Sequence, residues 1–389
     1  MKNSLQNHPS LHQLFTAFLR LGLTAFGGPA MIVYIRKMAV DRRKWLDGET
    51  FKDGVVLCQS IPGATAMQAA VYVGMKTRGI PGALLSFAGF SLPAFAFMLI
   101  LSSLYATFHT LPRIESLFSG LQVSVCAIVA NAAWSFGRTT LKLREDFFFA
   151  AAAAVFFGIG LNPVFIIAAA ALAGILFLGK TANVSEKQDK IILSRLYFRQ
   201  LLMLLLPLAA GLFFLYCRDE GLFDLATLMM RIDLFAFGGG FASLPLMLHE
   251  VVDVKKWMDA KTFMDGIVLG QVTPGPIVIT STFVGYLTHR LTGALVASLA
   301  IFTPSLLMVI VLSPIMDKLK GSLLFSKATK GILASFVGLL LYVTVKFSWA
   351  VHWDIVRGVL GLAVLIALIK KADLLYVVLA SAALSAVIL

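Results

Sequence analysis

The sequence predicts an all-α polytopic membrane protein made of two homologous halves of inverted topology, with about thirteen hydrophobic segments arranged six, one and six. Three observations carry that expectation: long apolar runs, a motif series that occurs twice, and the distribution of basic residues among loops. Of 389 residues, 59% are hydrophobic and 14% charged, against about 25% charged in an ordinary soluble domain. Apolar runs such as 92–104, 147–159, 201–215, 299–312 and 374–389 approach the length a helix needs to cross the roughly 30 Å hydrocarbon layer. Alternating ten-residue strands, the mark of a membrane β-barrel, are absent.

The duplication is read directly. Arg20 to Pro29 (RLGLTAFGGP) returns as Arg231 to Gly240 (RIDLFAFGGG), and Lys44 to Gly63 (KWLDGETFKDGVVLCQSIPG) returns as Lys256 to Gly275 (KWMDAKTFMDGIVLGQVTPG). Gly82, Ala83, Leu84 and Pro93 return as Gly293, Ala294, Leu295 and Pro304, and the spacing between copies holds to within one residue. The segments are 12–35, 51–75, 81–107, 116–137, 146–161 and 163–179 in the first copy, then 223–247, 263–287, 293–316, 326–348, 352–369 and 372–389 in the second. A lone segment at 197–217 matches neither copy. The domains are therefore 1–180, a polar linker with one connecting helix at 181–221, and 222–389. Six spans plus one is an odd number, so the second copy enters the membrane upside down.

Loop charge agrees. With the N-terminus cytoplasmic and the C-terminus periplasmic, the inner loops hold Lys76 and Arg78, Arg138, Lys142 and Arg144, and the basic stretch from Lys180 to Arg199. They also hold Lys255, Lys256 and Lys261, the group from Lys318 to Lys330, and Lys370 with Lys371. One loop breaks the rule: Arg36, Lys37, Arg42, Arg43 and Lys44 fall outside, partly offset by Asp41, Asp47 and Glu49. Either the first two segments do not both span, or that loop has a task beyond topology. The net charge of +13 is thus read as orientation signal and lipid contact rather than nucleic-acid binding. Residues 1–12 carry no cleavage pattern, so no removable signal peptide is expected. Cys58, Cys126 and Cys217 are scattered small hydrophobes, and no metal or other cofactor is expected.

Inverted-repeat transporters often bind substrate beside helices broken by Gly or Pro at corresponding positions. Here Gly27, Gly28 and Pro29 break the first segment and Gly238, Gly239 and Gly240 its copy; Pro62 with Gly63 breaks the second, and Pro274, Gly275 and Pro276 its copy. A helix restarting after Pro-Gly offers free N–H groups and the positive end of its dipole, which suit an anion. Alternatively the breaks are kinks and close-packing sites. Gln59, Thr65, Gln68, Gln271, Thr273, Thr280 and Ser281 cluster there, as neutral donors to an oxyanion or as helix-to-helix bonds. Arg20 and Arg231 either attract an anion or reach to the interface. Asp53 and Asp265 either cap the second segment or couple protons. Trp45 and Trp257 read as interfacial anchors. A phosphate-binding GxxxxGK[ST] loop and an HExxH metal motif are absent, and the glycine clusters follow no strand.

These motifs resemble those of the chromate ion transporter family, in its two-domain form. Phe26 to Pro29, Arg42 to Asp47, Cys58 to Gly63, Gly82 to Leu84 and Leu92 with Pro93 fit the family pattern in the first copy. Phe237 to Gly239, Lys255 to Asp259, Gln271 to Pro276, Gly293 to Leu295 and Pro304 fit it in the second. Ala64 and Gly240 stand where the pattern has proline, and Ala30 with Met31 where it often has Ala-His. The resemblance implies export of chromate across a bacterial inner membrane, with sulfate as a structural mimic and the proton motive force as driver. Besides that oxyanion and membrane lipid no partner is implied, and a homodimer is left open. The rival expectations are a carrier of another small anion or organic acid and a membrane-bound redox enzyme.

Overall fold

The computed structural model describes residues 8–26, 30–177, 195–313 and 322–388. Among these residues there is no strand. The first copy consists of α1 (Leu11–Thr24), α2 (Ala30–Arg36) running into a π-helical turn (Lys37–Arg42), α3 (Gly48–Ser60), α4 (Thr65–Phe108), α5 (Pro112–Thr140), α6 (Arg144–Gly158) and α7 (Pro163–Phe177). A separate helix, α8 (Arg195–Arg218), follows. The second copy repeats the order as α9 (Glu220–Phe235), α10 (Ser243–Met247) with its π-helical turn (Leu248–Val254), α11 (Ala260–Val272), α12 (Thr280–Leu312), α13 (Leu323–Ala350), α14 (Ile355–Ile369) and α15 (Leu374–Ile388).

Local chemistry repeats with the sequence. Asp47 caps α3 by accepting from Thr50 N–H at 2.8 Å, and Asp259 caps α11 by accepting from Thr262 N–H at 2.8 Å. These, not Asp53 and Asp265, are the N-caps; the helices begin about one turn earlier than the apolar pattern indicates. Hydrogen bonds from the Thr50 backbone and hydroxyl hold the exposed Asp47 carboxyl below its ordinary value. Its contribution is therefore present above the ordinary carboxylate pKa and is lost as pH falls through the depressed one. Asp47→Ala or Asp259→Ala is expected to cost about 1 kcal/mol each, read as a lower midpoint of thermal unfolding in detergent.

The four segments expected to be interrupted by Gly and Pro, two in each copy, are each two half-helices. Segment 12–35 is α1 and α2; 51–75 is α3 and the start of α4; 223–247 is α9 and α10; 263–287 is α11 and the start of α12. Proline and glycine at the breaks remove a donor and permit positive φ, so the helical bonds end there. Where contacts define the arms, they fold back. Tyr72 on α4 donates its hydroxyl to the Thr50 carbonyl on α3 at 3.3 Å, and its ring lies on Gly54 with no space for a Cβ. Gly266 on α11 meets Phe283 on α12 in the same way. The arm of α9 is tied to the turn after α10 by Arg231–Glu250 at 2.7 Å and Asp224–Lys255 at 2.5 Å.

Helices α4 and α12 then turn sharply, at Arg78–Gly79 and His289–Arg290. At each turn two glycines press backbone on backbone: a Cβ on Gly74 would lie 2.2 Å from the Gly82 carbonyl oxygen, and one on Gly285 2.2 Å from that of Gly293. Small residues permit this approach. Between the copies, Phe87 on α4 meets Phe302 on α12 and Ser103 accepts from Tyr286 at 3.2 Å. Residue numbers thus rise along one helix as they fall along the other.

The copies also exchange their last hairpins. Gly338 and Gly331 on α13 seat against the Ala150 and Ala170 carbonyls of α6 and α7. In return, Gly361 on α14 seats against Val123 of α5, and Arg357 donates to Ser119 at 2.8 Å. Among the described residues, five helices are long and apolar enough to cross a membrane: α4, α5, α8, α12 (with the turn before it) and α13; α7, α14 and α15 are shorter and apolar. No residue in the apolar stretch of α8 is fully buried; this connector packs at the edge of the body through Leu204, Leu212 and Leu215. Trp45, expected at an interface, is buried in the core at 4% exposure.

Candidate functional site

Each Pro-Gly break meets the end of the helix that leads into the Gly-rich break of the other copy. Gly63 donates its N–H to the Ala236 carbonyl at 2.9 Å, and Gly275 donates its N–H to the Ala25 carbonyl at 3.1 Å. The same glycine N–H donates in both cases. Both glycines have φ +114°, and Gly238 and Gly239 have φ +99° and +96°, which L side chains rarely adopt. Gly239 sits beside the Thr65 hydroxyl, and Gly240 against Ile277. Of the expected site residues, Pro62, Gly63, Thr65, Gln68, Gly238, Gly239, Gln271, Thr273, Pro274, Gly275 and Thr280 belong to the breaks or their flanks. Gly27 and Gly28 lie outside the described residues.

The two Pro-Gly tips differ in chemistry. At the first, Ala64 N–H donates to Ser305 Oγ at 3.0 Å, Gln68 Nε2 donates to the Pro62 carbonyl at 2.5 Å, and Ser305 N–H donates to Asp233 Oδ2 at 2.8 Å. Gln68, Asp233 and Ser305 are each 0% exposed. Two acceptors there, Gln68 Oε1 and Asp233 Oδ1, have no hydrogen-bond partner among the described residues. At the second tip the Thr273 and Thr280 hydroxyls donate to their own helix backbone, at 3.0 Å to Gly270 and 2.9 Å to Ile277. What is left without a partner is the donor Gln271 Nε2 and the Ser281 hydroxyl, both buried. A buried polar group without a partner costs roughly 1–3 kcal/mol, so two tips with orphaned groups point to a function rather than to packing alone.

Other expected residues are placed elsewhere. Gln59, Arg20 and Asp53 are exposed. Arg231 forms the clamp to Glu250 described above, so its charge is neutralised locally. Asp265, 5% exposed, accepts from Tyr105 and from Gln122 at 2.8 Å each, which fastens α11 to α4 and α5. Its repeat mate Asp53 is exposed. Sequence reasoning missed Asp233, Ser305, Tyr105 and Gln122. The signal for the first two was the difference between copies: Asp233 stands where the first copy has Gly22, and Ser305 where it has Ala94.

Comparison with known proteins adds the following. The family described as chromate transporter matches the chain twice, over residues 12–175 and 223–386. An uncharacterized transporter of Methanocaldococcus jannaschii is 42% identical, covering 100% of this chain and 97% of its own length. A chromate transport protein of Cupriavidus metallidurans is 28% identical over 93% of this chain and 88% of its own. A probable chromate transport protein of Synechococcus elongatus is 28% identical over 94% and 93%. No solved structure matches.

Proposed function

The chain belongs to the chromate transporter family, and from that premise we propose that it is a secondary transporter exporting chromate, or a sulfate-like oxyanion, at the junction of its four helix breaks. It is a multi-pass membrane protein and a transporter rather than an enzyme, since its named relatives are transport proteins. The observation that carries the proposed site is the reciprocal pair of bonds, Gly63 to Ala236 and Gly275 to Ala25. A bond pattern shared by both copies at four interrupted helices is the arrangement in which opposed halves rock about one central site.

The anion binds among donors of both copies. The first turn of α4 presents the N–H groups of Thr65, Ala66 and Met67 with the Thr65 hydroxyl, and the positive end of that helix favours negative charge by about 0.3–2 kcal/mol. Gln271 Nε2 and the Ser281 hydroxyl, buried without partners, donate from the other copy. Arg20, Gln59 and Asp53 act from outside the junction, and Asp265 acts through its bonds to Tyr105 and Gln122.

The break segments are re-entrant: they enter and leave on one side of the cytoplasmic membrane, with the N-terminus cytoplasmic. Support comes from the fold-back contacts of Tyr72 with Thr50 and of Arg231 with Glu250. It also comes from loop charge, because the basic loop from Arg36 to Lys44 then falls inside and obeys the positive-inside rule. The copies remain inverted, since each then crosses an even number of times and α8 adds one. An inside-negative potential drives a dianion outward by roughly 2.3 kcal/mol per charge per 100 mV.

The test is flux. Purified protein in liposomes is expected to move chromate faster than protein-free liposomes, and faster when the compartment it leaves is electrically negative. Absence of chromate and sulfate flux under every imposed potential and pH gradient would overturn the reading.

A further inference from the structure

We propose that Asp233 is a proton-binding site linked to the anion, so that each oxyanion bound at the junction is accompanied by one proton on this side chain; the inference rests on the oxyanion reading above. Asp233 is 0% exposed on α9 and lies at the first Pro-Gly tip, where a Cβ built on Gly63 would stand 3.2 Å from its Oδ1. One carboxylate oxygen accepts from Ser305 N–H, and the other has no partner. Gln68 Oε1, at the same tip, has none either. Only the Ser305 hydroxyl, which itself accepts from Ala64 N–H, is left to donate to two buried acceptors; a proton on Asp233 neutralises the carboxyl and adds a second donor.

The surrounding charges leave that role open. On α9 itself, Arg231 is engaged by Glu250 and Asp224 by Lys255. On α12, Ser305 is the contact, while His289 lies against Gly221 at the far end and Arg290 over the Tyr286 ring. From the first copy come Gly63, Ala64 and Gln68, which do not titrate. On α10 no residue is charged, and the His249 ring beyond it lies tilted against Phe157. Arg218 ends α8, some four turns before Asp233 along the chain. Asp265 is held by Tyr105 and Gln122. Among the described residues no cation pairs with Asp233.

An ionised Asp233 and an oxyanion at the start of α4 repel each other at short range in a medium that screens poorly. Anion binding therefore favours the protonated side chain, and the protonated side chain favours the anion by the same factor. Proton and anion then travel in the same direction. A dianion with one proton keeps one net negative charge, which an inside-negative potential still expels. The device belongs to one copy only, because Gly22 and Ala94 replace Asp233 and Ser305 in the other; the shared fold does not require it.

Chromate binding to the purified full chain is measured by calorimetry at about pH 6 and about pH 8, in wild type and Asp233→Asn. Asparagine keeps the shape and supplies a permanent donor. The wild-type affinity is expected to fall roughly tenfold or more between the two conditions, while Asp233→Asn binds at the higher pH as wild type does at the lower. Chromate's own protonation is common to both proteins and cancels. Proton uptake in weak buffer at about pH 8 gives a second reading that needs no variant: there wild type is expected to take up a proton with each anion, beyond the uptake by chromate itself. Equal pH dependence in the two proteins, or binding without that uptake, overturns the proposal while leaving the oxyanion reading intact. If wild type binds no chromate at either pH, the oxyanion reading fails and the proposal falls with it.

Discussion

Gly63→Ala is expected to cut chromate flux in liposomes to less than roughly a tenth of the wild-type rate and to lower the thermal midpoint. Two costs add. The backbone has φ +114°, a region where an L residue is strained by about 1–3 kcal/mol. A Cβ there would lie 2.0 Å from Ser305 Oγ and 2.7 Å from Gln68 Nε2, and forcing a methyl group into such a contact costs about 1–3 kcal/mol more. Relief requires Gly63 to withdraw, which breaks its bond to Ala236 and so uncouples the copies at the centre. Gly275→Ala carries the same φ and meets the Ala94 Cβ at 2.7 Å, so it is expected to behave alike. Gly48→Ala and Gly358→Ala serve as controls, since nothing lies within 4 Å of a Cβ at either position. Transport by Gly63→Ala equal to that of the controls would mean that the breaks are spacers.

The second large effect is all-or-none. In a background with Cys58, Cys126 and Cys217 replaced, Arg42→Cys is expected to react with a membrane-impermeant thiol reagent only from the cytoplasmic side. Val254→Cys, at the corresponding turn of the second copy, is expected to react only from the opposite side. Both positions are exposed. Full spans at the breaks would exchange the two results, which makes the comparison decisive between re-entrant and crossing segments. Charge favours the re-entrant form. The loop from Arg36 to Glu49 holds five basic and three acidic residues, whereas that from Glu250 to Lys261 holds three of each. The basic loop is thus placed inside and the neutral one outside. In the neutral loop and its flank, Lys255 is also paired with Asp224, and Lys346 reaches Asp253 from α13.

Much of this was legible in the amino-acid sequence. The apolar runs required helices in lipid, because a bilayer offers no partner for exposed backbone groups. The duplicated motifs required two like units, and the Pro and Gly residues marked where their helices must stop. Chain-local chemistry of this kind depends on residues a few positions apart, so the broken segments follow from the order of residues alone; the caps do not, since the apolar pattern points to Asp53 and Asp265 where Asp47 and Asp259 cap the helices.

The tertiary structure decided the rest, because pairing across the chain is set by packing. Whether a broken segment continues or folds back depends on which surfaces meet, and Tyr72 on Gly54 or Arg231 on Glu250 cannot be read from spacing. The same holds for the exchange of hairpins between copies, where glycines on α13 accept helices from the other half. It holds most of all for Asp233. In sequence it is one carboxylate in an apolar run, and Asp265 has the more persuasive repeat mate. Only when α9, α12 and the first Pro-Gly tip converge does its carboxylate stand buried beside Gly63 with no cation among the described residues to pair it. Backbone restraint is local and therefore written along the chain; desolvation and the company a charge keeps are properties of the assembled interior.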